Sequence, residues 1–191
     1  MLTVLALSAC APLVESGPSD GRTVLGEVSI YGVANAGEVE ATAAEVDLSE
    51  EQVVVGTDVE VSVSSAIPLS VSAEHSVWEM SSLTASFSGS VVATRGQFSI
   101  ECDELLVEYS SESEVTRATA TGGVRLSRGE WSGSAETANL DLVEGVVTLS
   151  GNSSIDGSGN RLQGTSIRVF MANERVECDD CTMVVLTPEL D

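Results

Sequence analysis

The chain has 191 residues, enough for one medium domain or two small ones. Thirty acidic residues against eight basic ones, all arginine, leave a net charge of −22, which excludes an ordinary nucleic-acid-binding face and a polybasic membrane patch. Apolar residues make up 42% and aromatics only 4%, with Val, Ser, Thr, Ala and Gly abundant, so short strands are expected rather than packed helices.

Residues 1–9 form a short apolar run that reads as the remnant of a signal peptide. Leu7-Ser8-Ala9-Cys10 follows the lipobox pattern, which implies cleavage before Cys10 and lipidation of that cysteine. The run is too short to span a bilayer, which needs about 20 residues. Residues 10–23, rich in Pro, Gly and Ser, read as a lipidated cysteine followed by a flexible tether. The remainder, 24–191, is expected to be one strand-rich domain.

That domain carries an internal repeat. With a small residue as position zero, five units align on Ala41, Ala73, Cys102, Ala135 and Gly164, at spacings of 32, 29, 33 and 29. Three residues on stand Ala44, Ser76, Leu105, Ala138 and Ile167. Five on stand Val46, Trp78, Val107, Leu140 and Val169, and seven on Leu48, Met80, Tyr109, Leu142 and Met171. The period of two predicts half-buried strands. Each unit continues into a second apolar run that meets or precedes a glycine, among them Gly56, Gly89, Gly122 and Gly151, expected to turn the chain into the next rung. One rung cannot bury its apolar face alone, whereas stacked rungs can. An elongated all-β structure of about five rungs follows, with an apolar interior and exposed edge strands at its two ends.

Several side chains invite chemical readings. At the sixth position stand Asp47, Glu79, Glu108 and Asp141; if they faced one another they would repel or gather a divalent cation, but no compact calcium loop is present and a solvated face is the plainer reading. No metal site and no cofactor are expected. Cys102, Cys178 and Cys181 offer a disulfide in an oxidising compartment, and Cys178-x-x-Cys181 lacks the helix start of a redox motif. His75, among polar neighbours, has no nucleophile motif beside it, so no catalytic residue is assigned.

The order of short motifs from Phe87 onward resembles a known family. Phe87-Ser-Gly-Ser-Val-Val-Ala-Thr-Arg-Gly96, Ala118-Thr-Ala-Thr-Gly-Gly-Val124, Val147-Thr-Leu-Ser-Gly-Asn152, Leu162-Gln-Gly-Thr-Ser-Ile167 and the tail Val184-Val-Leu-Thr-Pro188 are similar to the OstA-like lipopolysaccharide-transport proteins of the periplasm, LptA and LptC. Residues 24–86 follow the same rungs more weakly. The resemblance implies a twisted, half-open β-jellyroll with an apolar groove for the acyl chains of lipid A. It also implies edge-strand pairing with other jellyrolls in a bridge to the outer membrane, and no enzymatic step. The residues expected to line the groove are Val46, Leu48, Trp78, Met80, Phe87, Phe98, Val107, Tyr109, Leu140, Leu142, Leu149, Ile167 and Val169. The expected place is the periplasm, tethered to a membrane through Cys10. A structural β-solenoid lipoprotein with a scaffolding role is the alternative, and a closed, fully packed interior would be its mark.

Overall fold

A computed structural model describes residues 6–7, 23–34, 37–48, 52–55, 58–64, 67–79, 81–110, 114–157, 159–173 and 175–185. The motif at Cys10, the tether, Met80 and the tail beyond residue 185 lie outside the described residues, as do the side chains before Glu38. No described residue is helical.

Fifteen strands run in chain order: β1 (Ala6–Leu7), β2 (Thr23–Ala34), β3 (Gly37–Leu48), β4 (Gln52–Val55), β5 (Val59–Ser64), β6 (Leu69–Ala73), β7 (His75–Glu79) and β8 (Thr84–Arg95). They continue with β9 (Phe98–Tyr109), β10 (Val115–Arg128), β11 (Trp131–Asp141), β12 (Val146–Gly157), β13 (Asn160–Phe170), β14 (Arg175–Asp179) and β15 (Thr182–Val185). All pairings are antiparallel, and each long strand pairs with its sequence neighbours. The sheet does not close into a barrel.

The sheet is folded along a corner into two leaves. The first half of β8 pairs with β7 and its second half with β6, and register shifts fall between Ser88 and Val91, Thr121 and Val124, and Ser150 and Ser153. At those shifts the chain holds consecutive left-handed residues: Gly89 (φ 80°) with Ser90 (49°), Gly122 (79°) with Gly123 (55°), and Gly151 (75°) with Asn152 (46°). The extra residues bend β8, β10 and β12 from one leaf to the other, as bulges do. An acidic side chain packs on each first glycine: Glu74, between β6 and β7, on Gly89; Asp103 of β9 on Gly122; and Glu136 of β11 on Gly151. Ser90 donates to Glu74 at 3.0 Å, and Asn152 donates to Glu136 at 2.9 Å.

These glycines therefore turn the chain within a rung. The expectation that they start the next rung is corrected for Gly89, Gly122 and Gly151; Gly56 lies outside the described residues. The links between neighbouring strands alternate longer turns such as 142–145 with two-residue hairpins such as Gly96-Gln97 and Gly129-Glu130, whose leading glycines have φ of 61°. That is the first-position glycine a tight type II′ hairpin requires.

The alignment of the first unit also shifts. Val46 pairs with Val55, which pairs with Ser76, whereas Trp78 pairs with Val53 and through it with Leu48. The anchor of that unit is thus the buried Ala43, and Ala44 is exposed. The other four units hold their predicted register: Trp78, Ala85, Val107, Ala118, Leu140, Val147, Val169 and Val176 lie in one continuous inward row.

The last corner is built differently. A disulfide joins Cys178 at the end of β14 to Cys181 before β15, across Asp180 (φ 52°). It lies on Gly164, where a Cβ would come within 2.7 Å of the Cys178 sulfur. Cys102 is a free, buried cysteine on the inward face of β9.

The corner makes a graded prediction. Gly122→Ala places a methyl both in a left-handed backbone and against Asp103, and should cost about 2–3 kcal/mol. Gly123→Ala meets open space and should cost only about 1 kcal/mol. Urea unfolding midpoints of the two variants give the comparison; equal losses would contradict the packing of Asp103 on the corner.

Candidate functional site

The interior between the leaves is graded from corner to mouth. Beside the corner stand Ala73, Val91, Cys102, Val124 and Ala135, all buried. One step out, Phe87, Leu105, Leu149 and Ile167 face Ile100 and Leu126, again buried. Each such side chain contributes about 1.5–3 kcal/mol of apolar burial. Ser76 breaks this apolar layer, and its hydroxyl accepts from the Trp78 indole nitrogen at 3.2 Å, so neither polar atom is stranded.

The mouth is wider, and its side chains are larger and half-buried: Trp78, Tyr109, Leu142 and Met171 on one leaf, Phe98 and Trp131 on the other. Trp78 meets Phe87 edge-on at 5.9 Å and lies stacked with Tyr109 at 6.2 Å, both ordinary aromatic geometries. Towards the C-terminal end the leaves part into a cleft of about 340 Å³, lined by Trp131, Ile155, Gly157, Asn160, Leu162, Val176 and Met183. Met183 is 65% exposed and Val176 40%, so the cleft opens to solvent beside the last strands.

The thirteen residues expected to line a groove divide accordingly. Val46, Phe87, Val107, Leu140, Leu149, Ile167 and Val169 are packed in the interior. Trp78, Phe98, Tyr109 and Leu142 form the half-buried rim. The Leu48 side chain and Met80 are outside the described residues. The expectation of an open groove along the body is thereby narrowed: the interior is close-packed through the middle rungs and opens at the C-terminal mouth. Trp131, Ile155, Leu162, Val176 and Met183, which line the open part, were not on the expected list. Trp131 was named only as a large apolar residue, and nothing in the repeat distinguished it.

The row of acids also resolves. Glu108 and Asp141 are separated by Arg117, which lies 3.4 Å from the first and 3.8 Å from the second. Glu79 accepts from the Ser82 hydroxyl at 2.9 Å. An arginine of the intervening strand β10 thus stands between Glu108 and Asp141, and a turn hydroxyl meets Glu79. Among the described residues no group of three metal-ligating side chains converges.

Two buried groups titrate late. Burial raises the Cys102 thiol from 9.0 to about 11, with the Asp103 charge adding to the effect and a backbone hydrogen bond from Glu104 opposing it. Burial alone raises the Tyr109 phenol from 10.0 to about 12.

This two-leaved, all-β jellyroll belongs to a recognised class. The family model of the LptA/(LptD N-terminal domain) LPS transport protein matches residues 70–175, more than half of the chain. The chain belongs to that family. No curated protein matches it closely enough to be informative. Its fold is similar to the crystal structure of LptH, the LptA homologous periplasmic component of the lipopolysaccharide transport device from Pseudomonas aeruginosa. The TM-score is 0.58 at 16% identity, over 63% of this chain and 96% of that one.

The two raised pKa values set an alkaline limit. Both neutral forms are favoured by the fold, so their contribution is complete below about pH 9 and is lost as pH rises to about 12. Tyr109→Phe should flatten the loss of stability between pH 10 and 12, read from urea midpoints at each pH. Native Cys102 should resist alkylation at pH 8 and react on unfolding.

Proposed function

We propose that this protein is a periplasmic carrier of lipopolysaccharide, one unit of the bridge that moves it to the outer membrane. The observation that carries the reading is the predominantly apolar interior, with an apolar cleft around Trp131 and Leu162 at its C-terminal end. Acyl chains enter there and spread the rim residues Phe98, Tyr109 and Leu142. Each methylene shielded from water contributes about 0.8 kcal/mol, so a continuous apolar path is what makes movement through an aqueous compartment feasible. No bond is made or broken, and a partner transporter supplies the energy.

The ends of the folded sheet suit assembly. β14 and β15 pair only with β13 among the described strands, which leaves each with an outer edge for a neighbouring jellyroll. The disulfide holds these two edges as the halves of one bent strand. Cys10 is proposed as a lipidated anchor on the strength of its sequence motif alone.

A scaffolding role is the second reading, and the packed middle of the interior favours it. Lipopolysaccharide and photo-crosslinking probes separate the two. Probes at Phe98, Trp131 and Leu142 should give adducts, whereas a probe at the outward Thr119 should give none. Absence of adducts at all three rim positions, in folded protein, would leave the scaffold in front. The anchor is tested apart: Cys10→Ala should abolish incorporation of labelled palmitate and release the protein from the membrane fraction.

A further inference from the structure

Three tight hairpins close the same leaf at the mouth. Arg95 pairs with Phe98 across the first, Arg128 with Trp131 across the second, and Gly157 with Asn160 across the third. The intervals follow the repeat. Arg128 stands 33 residues after Arg95 and Gly157 stands 29 after Arg128, as Ala135 stands 33 after Cys102 and Gly164 stands 29 after Ala135. The three pairs therefore occupy equivalent places, at the inward register of the strands that run from β8 to β13.

The first two pairs fill their places with a long side chain and an aromatic ring. Arg128 extends across the mouth and donates to the Met171 carbonyl at 3.5 Å. The third pair has no side chain on one strand and a short amide on the other. The cleft lies there, and both Gly157 and Asn160 are in its lining. Trp131, Ile155 and Leu162 form the wall on the same leaf, and the last two strands complete it.

Backbone geometry does not call for glycine at 157. The left-handed residue of this hairpin is Gly159 (φ 76°), as Gly96 and Gly129 (61° each) are in the other two, and Gly157 itself lies outside the left-handed region. What Gly157 supplies is space. A Cβ there would stand 3.0 Å from the Cβ of Trp131, and a longer side chain at this inward position would occupy the cleft.

We propose that Gly157 is the specificity-determining residue of the cleft, setting how much of a linear acyl chain it admits beside Trp131. This rests on the carrier reading above and goes beyond it, because it names the position that gauges chain length. Protein interiors are close-packed, so atoms added at 157 displace a similar volume of bound chain. The two preceding hairpins show the filled state of the same place, and the third shows it vacated.

The test measures equilibrium binding of lipopolysaccharide and of linear alkanoic acids from eight to sixteen carbons. Wild-type affinity should rise up to about four-fold per added methylene and level off once the cleft is full. In Gly157→Leu the levelling should come about four carbons earlier, the size of the added side chain, and lipopolysaccharide should bind about ten-fold more weakly. Gly157→Ala should shift the levelling by about one carbon, and it carries the test if the leucine variant does not fold by urea unfolding. Thr119→Leu, on the outer face, should leave the profile unchanged. If wild type binds lipopolysaccharide and the folded Gly157 variants level off at the wild-type length, the gauge is overturned and the carrier stands. A uniform loss at every chain length would reduce Gly157 to a seat for Trp131 and overturn the gauge as well. If wild type binds neither lipopolysaccharide nor any alkanoic acid, carrier and gauge fall together.

Discussion

Strands β8 to β12 each have one face that water accepts and one that it does not. An antiparallel sheet with a single apolar face must cover that face, and this chain does so by folding the sheet over on itself. The corner is where that constraint is met. Consecutive left-handed residues, led by glycine, bend β8, β10 and β12, and an acid from the neighbouring segment (Glu74, Asp103 or Glu136) lies against each bend. Side chains beside the corner must be small, which is why Ala73, Cys102, Ala135 and Gly164 recur there. Farther out the leaves diverge and admit Phe, Leu, Trp and Tyr. The apolar cleft around Trp131 and Leu162 lies at the rim, away from the corner.

The same parity sorts charge. Carboxylates occupy the outward positions, where they keep a strongly acidic chain soluble and where arginines on adjacent strands divide them. Those exposed ion pairs add little stability, about 0–1 kcal/mol each. Their effect is on the field, which the outward carboxylates keep negative over the exterior.

Much of the fold was legible in the residues. The period of two, the repeat near 30 residues and the inward row through Trp78, Val107, Leu140 and Val169 are properties of strands whose neighbours impose the same spacing. The register failed at Ala41, because Ala41 and Ala43 are both small and both have apolar residues at the right offsets. Only pairing with β4 and β7 chooses between them. The glycines were read as turns between rungs because a left-handed residue bends the chain equally well in a hairpin or in a bulge. What separates the two is whether the flanking segments pair with each other or with common neighbours, and that is not a local property.

By itself, then, the sequence determined the all-β class, the repeated rungs, the sorting of apolar and acidic residues to opposite faces and the family. These follow from side-chain alternation, which every rung repeats. The tertiary structure alone decided how far the leaves stand apart. It decided which inward residues are sealed and which line an open cleft, which two of three cysteines are joined, and where an arginine crosses from one leaf to the other. Those outcomes depend on distances between strands far apart in the chain. Nothing in the local pattern records those distances until the sheet has folded at its corner.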